Sequence, residues 1–225
     1  MRDEAAGSVR LIVFAKAPRP GLAKTRLIPA LGPEGAAALA QRMLHHALGA
    51  AVASGLGPVE LCAAPDASDP LLQQAAEAQG ASLAAQGEGD LGARMDRALM
   101  RHLGDAGVLG ALLIGTDAPA LDAVRLREAA QALRDGHDAV FVPALDGGYA
   151  LVGLRRADPR VFAGMRWSHD RVMHDTRTRL AAAGLRWAEL APVADIDEPP
   201  DLVHLPEDWQ AAFCRDPQLL TRTDS

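Results

Sequence analysis

At 225 residues, 49% hydrophobic and 23% charged, the chain is long enough for one domain with a substantial core, although aromatics make up only 4% and Ala, Leu and Val must fill most of it. The net charge is −6 and the Lys and Arg are scattered apart from one short cluster, which argues against a duplex binder, because such proteins gain most of their affinity by neutralising phosphates. The two cysteines form neither a metal spacing nor a disulfide framework. No apolar run approaches the roughly 20 residues of a membrane span, and the polar start MRDEAAGSVR lacks a signal peptide's apolar stretch, so a cytoplasmic protein is expected.

Strand and helix signals alternate along the chain, which predicts a mainly parallel sheet covered on both faces. Val9–Lys16 is a nearly continuous apolar run, as a buried parallel strand requires. A Pro- and Gly-rich loop, Ala17–Ala23, precedes a long Ala/Leu-rich helix over Pro33–Ser54. A strand is expected at Pro58–Ala63, then a helix over Asp69–Gln79 with Asp69 as N-cap and Pro70 behind it. Ala81–Gln86 suits a short strand and Asp90–Leu103 a helix. Gly110–Gly115 is the clearest buried strand, followed by a helix over Asp122–Asp135 and a strand over Asp138–Pro143. The turn Asp146-Gly147-Gly148 leads into a strand at Tyr149–Leu154. A helix over Ser168–Ala183, a strand over Leu185–Leu190 and a helical tail from Asp201 complete the pattern.

In open α/β sheets ligands collect at the carboxyl ends of strands, so residues just after strands carry most weight. The loop from Lys16 to Leu27 follows the first strand and holds Lys16, Arg19, Lys24 and Arg26, with Pro18, Pro20 and Gly21. Stiffness, positive charge and free backbone amides leading into a helix are what a polyphosphate needs. It is not a Walker A loop, since Ala23 precedes Lys24 and the earlier glycine is missing; a solvated basic loop is the plainer reading. Asp117 follows the Gly110–Gly115 strand, with Pro119 fixing the exit. There it suits Mg²⁺ or Mn²⁺ beside phosphates, and equally a turn or cap.

Asp195 and Asp197 are two apart and share a side of an extended segment. Such a pair repels unless it is solvated or bridged by a cation, and acidic pairs before a proline also open helices. Asp146-Gly147 fits either close approach to a ligand or an ordinary hairpin. His45, His46 and His102 read as structural, and His169 and His174 share a helix with Asp170 and Asp175 at a spacing that does not align a shared metal. No Ser-His-Asp triad and no zinc motif is present.

The loop FAKAPRPGLAKTRL, the block Gly89–Met95 (GDLGARM), the strand end IGTDAP, the turn DGGYALVGL, Trp167-Ser168 and DIDEPPDL occur here in that order. In this combination, across residues 9–205, the chain resembles the glycosyltransferase-A-like family of small bacterial nucleotide-diphospho-sugar transferases, some linked to arsenosugar biosynthesis. Its distant relatives are phospholactate guanylyltransferase and the molybdenum-cofactor nucleotidyltransferases. The resemblance implies a single domain with the three-layer α/β/α fold of the nucleotide-diphospho-sugar transferases and a mixed, mainly parallel sheet. It implies nucleotide binding by Lys16, Pro20, Gly21, Lys24, Thr25 and Arg26, with Asp90 and Arg94 near the nucleoside. Mg²⁺ or Mn²⁺ would be held by Asp117, Asp195 and Asp197, and a small-molecule acceptor would meet Gly147, Gly148, Tyr149, Trp167 and His169. His169-Asp170 replaces the family's usual Thr-Pro, which bears on the acceptor.

The reaction so implied is metal-dependent glycosyl transfer from a nucleotide-diphospho-sugar. Lys24 would stabilise charge on the diphosphate, and Asp146 would orient or deprotonate the acceptor hydroxyl. The alternatives are nucleotidyl transfer from a nucleoside triphosphate to a phosphorylated or carboxylated acceptor, with pyrophosphate release, and a catalytically silent nucleotide-binding protein. Neither nucleic acid nor membrane is expected as a partner.

Overall fold

The computed structural model of the chain describes residues 7–214. Seven strands form one sheet in the order β3-β2-β1-β4-β6-β5-β7: β1 Ser8–Lys16, β2 Val59–Ala64, β3 Ser82–Ala85, β4 Val108–Ile114, β5 Ala139–Pro143, β6 Tyr149–Leu154 and β7 Trp187–Glu189. Only β6 runs antiparallel to its neighbours. The reason is local, because the short 144–148 connection permits a hairpin, whereas a parallel return needs a crossover of a dozen or more residues. The remaining pairs are parallel, so the sheet is mixed and mainly parallel, as expected.

The apolar runs reflect burial on both faces. Leu11, Val13 and Ala15 of β1 point into one core with Leu44, Leu48, Leu72 and Leu126. Ile12 and Phe14 point into the other with Met95, Leu99, Phe141 and Met173. Helices α1 (Ile28–Ala53), α2 (Pro70–Ala78) and α4 (Ala123–Arg134) cover the first face, and α3 (Leu91–Met100) and α5 (Val172–Ala183) the second. Three helix starts follow from their aspartates: Asp69, Asp90 and Asp122 accept hydrogen bonds from the amides of Leu71, Ala93 and Arg125 at 2.9, 2.8 and 2.9 Å.

Several boundaries differ from expectation for identifiable reasons. Helix α1 begins at Ile28 and breaks at Gly32 (φ 70°, ψ 165°), so the expected start at Pro33 is that of its second segment. Helix α5 starts at Val172 rather than Ser168, so His169 and Asp170 precede it. Ser168 is left-handed (φ 63°) and the Arg171 amide donates to His169 Nδ1 at 3.1 Å, a local bond that replaces a helical one. Strand β7 starts late because Gly184 and Leu185 close α5 by donating to the carbonyls of Ala181 and Leu180 at 3.1 and 3.0 Å.

A third cluster determines where the tail lies. Ile196, Leu202, Leu205 and Trp209 pack against Leu27, Leu39 and Met43, so the segment after β7 returns across the start of α1. A 3₁₀ turn at Pro199–His204 and helix α6 (Glu207–Phe213) form this tail. The Arg42 guanidinium lies 4.6 Å from the centre of the Trp209 ring and anchors it. The expected tail beyond residue 214 lies outside the described residues. Among those residues no helix is long and apolar enough to cross a membrane.

Candidate active site

The strand order reverses between β1 and β4, which makes their carboxyl ends the natural crevice. Lys24 comes from the loop after β1 and Asp117 follows β4. Their side chains meet there, with Lys24 Nζ 2.9 Å from Asp117 Oδ1. The same ammonium donates to the Ile196 carbonyl and lies 3.7 Å from Asp197 Oδ1. It is withdrawn from water, its side chain only 7% exposed. The Ile196 amide donates to the Asp117 carbonyl at 2.8 Å, so backbone as well as side chains join the two acidic segments. Asp117 caps no helix, because Asp122 caps α4; its carboxylate is half exposed and accepts from the Thr116 hydroxyl at 3.1 Å.

The other cations of the loop divide between neighbours. Arg26 reaches Asp197 Oδ2 at 3.0 Å and Glu198 Oε1 at 3.3 Å. Arg19 binds Asp69 through Nε and Nη2 at 2.8 and 2.7 Å, tying the loop to the start of α2. Lys16, Pro20, Gly21 and Thr25 are exposed, and Lys16 makes no ion pair among the described residues. Asp201 has a role that sequence reading missed: its carboxylate accepts from the amides of Asp197 and Glu198 at 3.0 and 2.7 Å, which fixes the turn carrying Asp197.

A cleft of about 320 Å³ opens beside this cluster, lined by Arg26, Asp146, Asp195, Asp197, Glu198 and His204 among others. Asp195 and Asp197 therefore do face one space, with different surroundings. Burial and then the neighbouring Asp146 carboxylate push the Asp195 carboxyl up to about 6. Among the described residues no cation lies within ion-pair distance of either Asp146 or Asp195. Lys24 stands between Asp117 and Asp197, and among the described residues no three His, Cys, Asp or Glu side chains gather as a ready-made metal cage.

Asp146 Oδ1 accepts from the Gly148 amide at 2.8 Å and shapes the β5–β6 hairpin. Gly147 (φ 91°) leaves no room for a side chain, since a Cβ would overlap the Asp170 carbonyl oxygen, and its own carbonyl accepts from the Met173 amide at 2.8 Å. The hairpin is thereby clamped to the segment before α5. The Tyr149 and Trp167 rings lie edge to face, 6.5 Å apart, and the Tyr149 hydroxyl and Trp167 Nε1 are buried with no hydrogen-bond partner among the described residues. Burial raises the Tyr149 hydroxyl pKa far above its ordinary value. His169 Nδ1 accepts from Arg171, so its Nε2 carries the proton and donates to the Arg166 carbonyl at 3.0 Å.

Asp90 and Arg94 serve the loop before α3, Asp90 as its cap and Arg94 by donating to the Gly89 carbonyl at 2.9 Å. Arg97 holds the same loop through the carbonyls of Gln86 and Glu88 at 2.7 and 2.9 Å. A Cβ on Gly92 would press on the Trp167 ring. The GDLGARM block and Trp167 are thus neighbours, which their separation in sequence does not reveal.

Residues 47–169 match the family model described as "Uncharacterized protein conserved in bacteria (DUF2064)". The chain belongs to the DUF2064 family. A protein from Desulfovibrio desulfuricans G20, provisionally described as a nucleotide-diphospho-sugar transferase, is 30% identical to this DUF2064 member; the match covers 94% of this chain and 96% of that one, with a TM-score of 0.80. A CMP:2-keto-3-deoxy-manno-octonic acid synthetase complexed with CTP shares the fold at 14% identity, over 92% and 99% of the two chains, with a TM-score of 0.57. So does glucosyl-3-phosphoglycerate synthase from Mycobacterium tuberculosis, in complex with Mn²⁺, UDP and glucosyl-3-phosphoglycerate, at 11% identity, 94% and 77% coverage and a TM-score of 0.53. The fold of this DUF2064 chain is therefore the glycosyltransferase-A-like α/β fold of nucleotide-diphospho-sugar transferases. No protein of curated function shows a detectable match.

Proposed function

We propose that this protein is a nucleotide-using transferase that moves a glycosyl group from a nucleotide-diphospho-sugar to a small hydroxylated acceptor. The observation that carries the proposal is the meeting of Lys24 with Asp117 at the reversal point of the sheet. The 30% identical relative, provisionally described as such a transferase, supports it. Lys24 and Arg26 bind the diphosphate and stabilise the charge that grows on the leaving group. Lys16, Pro20, Gly21 and Thr25 line its approach through backbone and charge, and the loop at Asp90 and Arg94 receives the nucleoside. Asp146, at the cleft, orients the acceptor hydroxyl or takes its proton. Gly147, Gly148, Tyr149, Trp167 and His169 form the acceptor wall.

The donor set fits a hard divalent cation. Asp117 keeps half its surface open, and Asp195 beside Asp146 is an uncompensated carboxylate that a cation would relieve. Asp117, Asp195 and Asp197 would hold Mg²⁺ or Mn²⁺, which supplies charge neutralisation to the diphosphate when bound. The Mn²⁺ in the glucosyl-3-phosphoglycerate synthase complex is a precedent in the fold.

Once a cation has neutralised the diphosphate, the acidity of the cleft suits a neutral, hydroxylated acceptor. Asp146, Asp195, Asp197, Glu198 and Asp201 face it against Arg26 and His204, and such a lining repels a phosphorylated or carboxylated acceptor. Incubation with nucleoside triphosphates and nucleotide-sugars plus Mn²⁺, followed by identification of the released species, tests the proposal. A nucleoside diphosphate together with a glycosylated acceptor is expected. Pyrophosphate would establish nucleotidyl transfer instead, and tight nucleotide binding with no product would establish a silent binder.

A further inference from the structure

Of the 23 basic residues counted as Lys and Arg, only Lys16 and Lys24 are lysines, and both flank the loop after β1. The two are not interchangeable with arginine. Guanidinium is a planar fork suited to bidentate pairing, whereas ammonium is a compact charge that can sit among oxygens as a metal ion does. Lys24 occupies such a position. Its Nζ has the Asp117 carboxylate at 2.9 Å, the Ile196 carbonyl in hydrogen-bond contact and the Asp197 carboxylate at 3.7 Å, and its side chain is almost wholly withdrawn from water. Carboxylate and carbonyl oxygens are the ligands that Mg²⁺ and Mn²⁺ prefer. The backbone of Lys24 is left-handed (φ 46°, ψ 47°), a conformation disfavoured for residues with a Cβ and kept where surrounding contacts over-determine it.

We infer that Lys24 is a built-in surrogate for the divalent cation: without nucleotide it occupies the place between Asp117 and Asp197, so that metal binding depends on a nucleotide that draws it away. The inference rests on the nucleotide and metal reading proposed above. A divalent ion on Asp117 Oδ1 would sit about 2 Å from that oxygen. The ammonium already forms an ion pair with the same atom at 2.9 Å, and two cations so close repel strongly. One must leave. A diphosphate offers Lys24 an anion in exchange for the carboxylates it gives up, so phosphate and metal enter together and charge stays balanced. The protein would then take up metal only as part of a nucleotide complex.

The test is Mn²⁺ titration, followed by the electron spin resonance of the free ion, on the parent and on Lys24→Gln without nucleotide. The variant should bind Mn²⁺ at least about tenfold more tightly than the parent, because an uncompensated carboxylate replaces an occupied one. Equal or weaker binding by the variant would overturn the inference. Pyrophosphate serves as the phosphate probe: the parent should bind Mn²⁺ far better in its presence, after allowance for chelation by pyrophosphate itself. If the parent gains from pyrophosphate but Lys24→Gln gains nothing in its absence, only the surrogate role of Lys24 falls. If neither binds Mn²⁺ under any condition, the metal reading falls and takes this inference with it. Should Lys24→Gln fail to fold, lysine-selective NMR of the parent decides, since two lysines give two side-chain signals. The Lys24 signal should move with Mg²⁺ plus pyrophosphate and hold still with dilute Mg²⁺ alone; an identical shift from dilute Mg²⁺ alone would contradict competition.

Discussion

Glu60 and Asp195 are two carboxylates drawn away from water at opposite ends of the same sheet, with opposite solutions to the same problem. Glu60 lies near the amino end of β2, its side chain 9% exposed, and accepts a hydrogen bond from Arg101 at 2.6 Å. His102 Nε2 lies 3.3 Å away, off the line of a hydrogen bond. Asp195 lies past the carboxyl ends, where the strongest charged influence on it is another carboxylate, Asp146. Burial with a partner makes a carboxylate part of the scaffold. Burial without one leaves it ready for an incoming cation, at some cost to the empty protein.

The largest effect on stability should come from breaking the paired end. Glu60→Ala removes the carboxylate partner of Arg101, and about 2 kcal/mol of stability should be lost, below the range for fully buried pairs because Arg101 is partly exposed. Urea unfolding measures this, and nucleotide affinity should stay unchanged. A loss of nucleotide affinity would mean that the two ends are not separate.

Asp195→Asn should act in the opposite direction. The folded state raises this carboxyl to about 6, above its value in the unfolded chain, so the folded protein holds the proton more tightly. Stability from this group falls as pH rises from about 4 to 6, and the whole penalty is present above that window. The variant should therefore be more stable than the parent by on the order of 1 kcal/mol at pH 8, after allowance for solvent screening, and no more stable at pH 4. Unfolding curves at the two pH values check it. A variant less stable than the parent at pH 8 would make Asp195 a structural residue like Glu60.

The smallest effect belongs to an ordinary surface pair. Glu189 meets Arg177 through two hydrogen bonds at 2.9 and 2.7 Å, and this partner holds its carboxyl below the usual range. Its contribution is present above the unfolded carboxyl value and is lost as pH falls through the lower folded one. Glu189→Gln should cost about 0.5 kcal/mol at pH 7 and nothing near pH 2. A larger cost would show that exposure alone does not separate structural from functional charge here.

Much of this arrangement is legible in the sequence, and what is not has a physical cause. The central strands could be read because they are buried on both faces, as β1 is through Leu11, Val13 and Ala15 on one side and Ile12 and Phe14 on the other. The caps Asp69, Asp90 and Asp122 are local chemistry. The start of α5 falls four residues after the one the periodicity suggests, because the left-handed Ser168 and the His169 ring impose a turn that periodicity does not show. Lys24, Asp117 and the Asp195/Asp197 pair could be singled out by position after strands. That one ammonium joins two of them, with the Ile196 carbonyl, could not. It depends on the tail packing Ile196 and Trp209 over Leu27 and Met43, a long-range contact with no local signature. The fit of Gly92 under Trp167 was hidden for the same reason, whereas the capping by Asp201 is local, to amides three and four residues before it.

The central claim is that Asp117 belongs to a nucleotide and metal site. Thermal unfolding of the parent, Asp117→Asn and Asp117→Ala, each with and without Mn²⁺ plus the best-binding nucleotide, tests it most directly. At a hundredfold excess over the dissociation constant the parent should gain about 2.7 kcal/mol from the ligands. Both variants should lose most of that gain while remaining folded without ligand. Variants that keep the full ligand-induced stabilisation would contradict the claim and return Asp117 to the role of a turn residue beside Lys24.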